Sequence, residues 1–233
     1  MTDSVHVETT ESTAHIWLRP SKGGTHVTTD ALRLLRNVGR NLTGNIRSVT
    51  ISGRDDDFCS GFDPDAVTAA DLVSIWRSAT SWLRRPDLLS IALLHGRVEG
   101  VGFNLALECD LRVADPETTF TAGDETLVGQ PWLPGLSRLV ELVGQGRVME
   151  ITQPGRHRFD AYAAHAWGLV NVLEPSRDGR LGVAARWARS RQTYLGTGIE
   201  VKSLLRGNAH TFVEDQEDEA QTRILRELFG DTN

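Results

Sequence analysis

The fold depends on residues 91–112, which read Ile91-Ala92-Leu93-Leu94-His95-Gly96-Arg97-Val98-Glu99-Gly100-Val101-Gly102-Phe103-Asn104-Leu105-Ala106-Leu107-Glu108-Cys109-Asp110-Leu111-Arg112. The stretch opens with an apolar run long enough for a buried strand, breaks at a His-Gly pair, and becomes helical in pattern from its phenylalanine onward. The N–H groups that begin a helix have no acceptor within it, and together with the helix dipole they can hold a developing negative charge. Glycines at such a joint also serve plain close packing, so this stretch alone leaves both interpretations open.

The chain before this stretch alternates strands with helices. Residues 5–18 predict two strands with a break at Glu11-Ser12, and residues 48–53 predict a third, β-branched strand. Between them, Thr28-Thr29-Asp30 is typical of a capped helix start. Residues 66–83 predict a further helix, which ends before a proline. A succession of strand, helix and strand indicates a parallel α/β fold.

The chain after the stretch changes character twice. Residues 111–114 predict a strand, and residues 121–136 predict a long polar loop that contains Asp124, Glu125 and Pro134. A loop of this length inside a compact domain is more often functional than filler. From about residue 180 the composition is helical, with one helix over 180–192 and an acidic one over 211–229.

Composition excludes several classes of protein. The 233 residues carry a formal net charge of −6, which disfavours general nucleic-acid binding. Cys59 and Cys109 form neither a disulfide framework nor a metal-site spacing, and no metal site is predicted. No signal-like start and no membrane-length apolar run is evident. We therefore expect a soluble cytoplasmic protein with no nucleic-acid or membrane partner.

Several motifs in the same order resemble the crotonase, or enoyl-CoA hydratase/isomerase, superfamily. The His95-Gly96 stretch through Arg112 is similar to the family signature, and residues 48–63 are similar to its strand and Phe-x-x-Gly-x-Asp loop. Residues 129–144 resemble its Gly-x-x-Pro-Gly segment, and residues 160–171 its Gly-Leu-Val-Asn segment. The similarity extends over residues 46–175.

The resemblance implies an α/β fold built as a spiral of ββα units, followed by a C-terminal helical trimerisation region. On that basis we expect a core with the acyl-CoA site over residues 1–178 and a helical region over 179–233. The resemblance also implies a homotrimer or hexamer. Its substrate would be an acyl-CoA thioester, with coenzyme A as part of the substrate and no further cofactor.

Family members hold an enolate oxygen with two backbone N–H groups, and the register implies those of Phe62 and Val101. Preorganised donors of this kind each contribute about 3 kcal/mol to lowering the barrier. The family usually has glycine where Val101 stands. Because a β-branched residue tolerates helical but not positive φ, we predict a negative φ at Val101. Gly61, Gly100, Gly102, Trp132 and Pro134 are the expected substrate-binding residues.

Hydratases of the family use two glutamates, and the register places Asn104 where the first one stands. An amide can orient a water molecule or a substrate oxygen, but it cannot accept a proton near neutral pH. The second carboxylate is Glu125, which better matches the spacing to Gly129, or Asp124; we favour Glu125. Glu99 beside the glycines either faces solvent or lines the site.

Three hypotheses follow. The first is an enoyl-CoA hydratase/isomerase-like enzyme that uses one carboxylate, for isomerisation or atypical hydration. The second is a non-catalytic acyl-CoA-binding homologue that keeps the fold without the reaction. The third is a specialised decarboxylase or hydrolase of a biosynthetic pathway.

Overall fold

The computed structural model describes residues 4–18, 26–42, 44–54, 56–63, 69–124, 130–131, 134–153, 158–205 and 211–229. Their strands are, in chain order, β1 (Val5–Thr9), β2 (Thr13–Leu18), β3 (His26–Thr28), β4 (Ser48–Gly53), β5 (Gly61–Asp63), β6 (Leu89–Leu94), β7 (Arg97–Glu99), β8 (Leu111–Ala114), β9 (Thr119–Thr121), β10 (Gly123–Asp124), β11 (Gln130–Pro131), β12 (Arg158–Asp160) and β13 (Val172–Leu173). Their helices are α1 (Thr29–Asn41), α2 (Ala69–Thr80), the 3-10 helix η1 (Ser81–Arg84), α3 (Val101–Glu108), α4 (Leu136–Val143), α5 (Gln145–Ile151), α6 (Ala161–Ala166), α7 (Arg177–Thr193), α8 (Leu195–Leu205) and α9 (Thr211–Phe229).

The larger sheet has six strands in the order β1-β2-β4-β6-β8-β13. Its first pair is antiparallel and the other pairs are parallel. The strands predicted over 5–18 and 48–53 are confirmed as β1, β2 and β4. Alternate residues of β2 are buried, as its alternating sequence pattern requires.

A second set of short strands follows the first around the spiral. β3 pairs with β5 in parallel, and a parallel bridge from Cys59 to Val98 joins the chain before β5 to β7. The set continues as the three-stranded sheet β12-β9-β7. Each turn therefore runs from a strand of the large sheet to a short strand and then to a helix, as in β4, β5 and α2 or β6, β7 and α3. This is the predicted spiral of ββα units.

Helix starts follow the local sequence. The Thr28 side chain accepts the Ala31 N–H at 3.1 Å and caps α1, which confirms the predicted capped start. Asp160 caps α6 in the same way through the Ala163 N–H at 2.7 Å.

The core lies between the two sets of strands and the helices. Its aromatic part near the central stretch consists of Phe103, Phe120 and Phe159, with ring centroids 5.3 to 6.4 Å apart. Arg112 is also fully buried and donates to the carbonyl oxygens of Leu169 at 2.5 Å and Cys109 at 2.8 Å. That arginine therefore joins the end of α3 to the chain before β13, so its role in this motif is structural.

The C-terminal helices cover the outside of the core. α7 packs its Val183 and Ala184 on the outer face of β6 and β8, and α9 packs against α2. The helical part begins at Arg177, next to the boundary expected from the sequence; the division into two units stays a prediction. Within the described ranges, no helix has the length and apolar content needed to cross a membrane.

Candidate active site

The turn between β7 and α3 brings the predicted oxyanion donor into place. Gly100 precedes the helix with φ 52° and ψ −119°, a conformation that side chains other than glycine rarely adopt. Its N–H donates to the Thr121 carbonyl at 3.0 Å, and its own carbonyl accepts the Asn104 N–H at 3.1 Å. The positive φ thus falls on Gly100, and Val101 is the first residue of the right-handed helix, as its β-branched side chain requires.

Close backbone packing brings the segment before Phe62 against the first turn of α3. A Cβ on Gly102 would come within 2.4 Å of the Cys59 Cβ, so only glycine fits there. The Cys59 N–H donates to the Arg97 carbonyl, and the Cys59 carbonyl accepts the Glu99 N–H at 2.9 Å. Phe62 and Val101 are both buried. The two backbone segments predicted to form the oxyanion hole are therefore neighbours.

Asn104 lies one turn further along α3 and is buried, with 3% of its surface exposed. Its side-chain Nδ2 donates to the Pro134 carbonyl at 2.6 Å. A Cβ on the adjacent Gly135, which has φ 101°, would lie 3.3 Å from that nitrogen. The amide is therefore held against the turn that begins α4, and a carboxylate in its place would meet the carbonyl oxygen.

The predicted acid/base residues fall at the edge of the described chain. Asp124 pairs with Gln130 in the short hairpin of β10 and β11, a feature absent from the predicted loop over 121–136. The side chain of Asp124 and all of Glu125 and Trp132 lie outside the described residues. The preference for Glu125 over Asp124 stays a prediction.

Glu99 is buried and paired. Its Oε1 accepts from the Arg158 Nη2 at 3.0 Å. Glu99, Thr121 and Arg158 stand opposite one another across β7, β9 and β12, while Val98 and the phenylalanines of the core occupy the alternate positions. By strand alternation, Glu99 points away from the aromatic core. The sequence left open whether Glu99 faces solvent or lines the site. Because Glu99 is buried, exposure to solvent is wrong.

A charged cluster lies behind Asn104. Glu108, one turn further along α3, is 2% exposed and accepts from Arg84 at 2.7 and 2.9 Å. Burial by itself would lower the pKa of Arg84, but the charge and hydrogen bonds of Glu108, with Glu217 and Asp218 nearby, raise it. Arg84 therefore stays charged, as the buried Glu108 requires.

Glu217, which joins α9 to the turn beside Asn104, was not among the residues predicted from the sequence. Its carboxylate accepts the N–H groups of Gly135 at 3.0 Å and Ser137 at 2.5 Å. The available signal was the spacing of Glu217, Gln221 and Leu225, which lie four apart on α9 and are all buried.

Other chemistry has little support among the residues that the structure describes. They contain no group of His, Cys, Asp and Glu side chains able to hold a metal ion. Burial raises the pKa of the Cys109 thiol to about 12, so it remains protonated at neutral pH and is a poor nucleophile.

Comparison with known proteins agrees with the geometry. The model of the family described as enoyl-CoA hydratase/isomerase matches residues 26–232. The ethylmalonyl-CoA decarboxylase of Xenopus tropicalis is 27% identical over 151 residues, 61% of this chain and 50% of the relative. A mitochondrial Delta(3,5)-Delta(2,4)-dienoyl-CoA isomerase of Dictyostelium discoideum is 27% identical over 119 residues, 51% of this chain and 40% of the relative. The chain thus spans about half the length of these curated relatives.

Solved structures share the fold over nearly the whole chain. Pseudomonas aeruginosa DspI superposes with a TM-score of 0.78 at 25% identity, covering 98% of this chain and 96% of that one. A Thermobifida fusca protein assigned as an enoyl-CoA hydratase, in complex with acetoacetyl-CoA, has a TM-score of 0.75 at 25% identity, covering 97% of this chain and 93% of that one.

Proposed function

The chain belongs to the enoyl-CoA hydratase/isomerase family, and from that premise we propose that it acts on an acyl-CoA thioester through an enolate. The N–H groups of Phe62 and Val101 would hold the thioester oxygen as it becomes negative. The observation that carries this proposal is the Gly100 turn, which starts α3 at Val101 and packs it against the segment before Phe62. Two preorganised donors in a dry site are worth about 3 kcal/mol each at such an oxygen.

The acid/base residue would be a single carboxylate, Glu125 or Asp124. Asn104 cannot accept a proton, and its Nδ2 is engaged by the Pro134 carbonyl, so it orients the site instead of transferring protons. One carboxylate is sufficient to remove a proton from the α carbon and return it to the γ carbon. We therefore propose double-bond isomerisation in preference to hydration by two carboxylates. Coenzyme A enters as part of the substrate, and the reaction needs no further cofactor.

Decarboxylation is the second candidate, and the similarity to ethylmalonyl-CoA decarboxylase favours it. Loss of carbon dioxide from a malonyl-type thioester leaves its electron pair on the α carbon and so forms the same enolate without a base. A single acid then protonates that carbon. The oxyanion hole would serve both reactions unchanged, so the acyl group that fits the pocket decides between them.

A panel of acyl-CoA thioesters incubated with the protein and analysed by mass spectrometry tests the proposal. The panel contains 2-enoyl, 3-enoyl, malonyl-type and aromatic thioesters, and Glu125→Gln and Asp124→Asn serve as a matched pair of variants. A new isomer of unchanged mass supports isomerisation, and loss of carbon dioxide supports decarboxylation. Addition of water would contradict the single-carboxylate mechanism. Thioesters that bind and return unaltered would identify a binding protein.

A homotrimer or hexamer is also part of the proposal. Exposed apolar side chains at Tyr194, Val201, Leu204 and Leu205 support it, because they lie together on and beside α8. A monomer would leave these side chains in water.

A further inference from the structure

Glu217 of α9 uses both carboxylate oxygens on one turn of the chain. Its Oε2 accepts the Gly135 N–H at 3.0 Å, and its Oε1 accepts the Ser137 N–H at 2.5 Å. The residue is 7% exposed, so a charge is buried at this place. Burial of a charge is tolerated where hydrogen bonds replace its water, as the two N–H groups do here.

The turn that receives these bonds has no cap of its own. Gly135 is the N-terminal cap residue of α4, with φ 101°, and it offers no side chain to the first N–H groups of the helix. A carboxylate at a helix start also interacts favourably with the positive end of the helix dipole. Glu217 therefore supplies from α9 the cap that α4 lacks.

The other side of the same turn contacts Asn104. The carbonyl of Pro134, the residue before Gly135, accepts Asn104 Nδ2 at 2.6 Å. A side chain on Gly135 would come within 3.3 Å of that nitrogen. The turn over 134–137 is thus held between the carboxylate of α9 and the amide of α3, and a shift of the turn moves the Asn104 amide with it.

We propose that Glu217 is a positioning residue that fixes the orientation of Asn104 through the turn over 134–137. This inference rests on the proposed function for its effect on the reaction, since it makes the last helix of the described chain part of the acyl-CoA site. Glu217 itself does not contact the reacting atoms. Its effect passes through Gly135 and Pro134.

The test compares Glu217→Gln with Asp218→Asn. The glutamine keeps one accepting oxygen but turns an N–H₂ group toward the second N–H of the turn. Asp218 is its neighbour on α9 and accepts from Arg77 of α2 at 2.7 Å, so this hydrogen bond joins α9 to α2. Both variants remove one negative charge and one contact that docks α9. A difference between the two variants therefore reports the bonds of Glu217 to the turn over 134–137.

Two readouts do not depend on turnover. In Glu217→Gln we expect hydrogen exchange at the Gly135 and Ser137 amides to accelerate about fivefold, the effect of losing a helix cap. We also expect the side-chain amide resonances of Asn104 to shift. In Asp218→Asn both should stay as in the unaltered protein. Glu217→Asp, which keeps the charge but is one methylene too short to reach both N–H groups, should lie between them.

A third readout uses acetoacetyl-CoA, whose enolate absorbs in the near ultraviolet. We expect Glu217→Gln to reduce the enolate fraction of the bound thioester about tenfold and to change its dissociation constant less than twofold. Asp218→Asn should leave both quantities unchanged.

The outcomes separate the two proposals. Equal effects of the Glu217→Gln and Asp218→Asn variants on the Asn104 resonances would overturn the positioning role. The positioning role would also be overturned if neither variant shifted the Asn104 resonances. If the unaltered protein fails to bind acetoacetyl-CoA or any other thioester, the proposed function is wrong, while the exchange and resonance measurements still decide the role of Glu217.

Discussion

Asn104 is fixed by a donor bond that a carboxylate could not make. Its Nδ2 lies 2.6 Å from the Pro134 carbonyl oxygen, and the side chain is buried. A charged carboxylate there would bring two oxygen atoms together without a proton between them. Placing the first glutamate of a hydratase at this position would therefore require more than one substitution, because the Pro134 carbonyl needs an N–H donor opposite it.

We predict that Asn104→Asp lowers the free energy of unfolding by about 2 kcal/mol at pH 7. Burial and the facing carbonyl raise the folded-state pKa of the new carboxyl above its ordinary value of about 3.9. Below that pH the group is protonated in both states and can donate to Pro134, so the loss is absent. The loss grows as the pH rises from about 4 to the folded-state pKa. Urea unfolding between pH 4 and 7 measures it.

Asn104→Ala is the control for this prediction. It also leaves the Pro134 carbonyl without its donor, but it adds no titrating group, so its destabilisation should be the same across that pH range. If Asn104→Asp showed the same flat profile, the carbonyl would not face the side chain as described.

The local pattern predicted a glycine-rich joint followed by a helix from Phe103, and the structure begins that helix at Val101. The roles of Asn104 and Val101 came from the family resemblance and stay predictions. Pro134 is 30 residues from its amide partner, and Glu217 is 82 residues from Gly135. No local pattern records such pairings, because they depend on how α4 packs against α3 and how α9 packs against α4.

At the scale of elements, the long periodic segments were predicted well. The helix predicted over 211–229 is confirmed as α9, and the strands over 48–53 and 111–114 are confirmed as β4 and β8. β7 and the hairpin of β10 and β11 were missed. They have three and two residues per strand, too few for alternation to be visible. They form because neighbouring backbone is available, as when β7 pairs with β9.

Helix α8 is attached to the core by one buried lysine. Lys202 Nζ donates to the carbonyl oxygens of Leu83 at 2.9 Å and Leu88 at 2.6 Å and to Asp110 Oδ2 at 2.7 Å. Asp110 also accepts the N–H and O–H of Ser90. The lysine thus joins α8 to the end of η1 and to the residue before β6, and the Leu83 carbonyl also accepts the Ser90 O–H at 3.1 Å.

We predict that Lys202→Met lowers the free energy of unfolding by about 3 kcal/mol, because it leaves a partly buried carboxylate without its cation. Under conditions in which the rest of the protein stays folded, amide hydrogen exchange over residues 195–205 should be faster than in the unaltered protein, because the anchor of α8 is lost. Glu200→Gln on the same helix also changes one charge, but Glu200 is exposed, and exchange should stay unchanged. If the amides of α8 exchanged at the same rate in the Lys202→Met variant as in the unaltered protein, apolar packing alone would dock the helix.

At the scale of the whole molecule, α8 leaves an apolar surface uncovered. Leu204 is 84% exposed, Leu205 69% and Tyr194 67%, whereas Val183 and Ala184 of α7 and Leu225 of α9 are buried. Beside them lies an open cavity of about 440 Å³, lined in part by Leu89 and Leu111 of the large sheet. Single exposed apolar residues are ordinary, but a cluster next to a cavity is typical of a surface that another chain covers.

We predict that light scattering gives a mass of three or six copies of the 25.7 kDa chain. Leu204→Glu combined with Leu205→Glu should reduce this to one copy, because each leucine buried at the contact contributes about 1.5–3 kcal/mol and a charge cannot be buried there unpaired. Met149→Glu, at a residue of α5 that is 57% exposed, adds a charge away from α8 and should leave the assembly intact.

A single-copy mass for the unaltered protein would contradict the trimer, and an unchanged mass for the double variant would place the contact elsewhere. If the double variant dissociates and also loses acyl-CoA binding, the neighbouring copy completes the site.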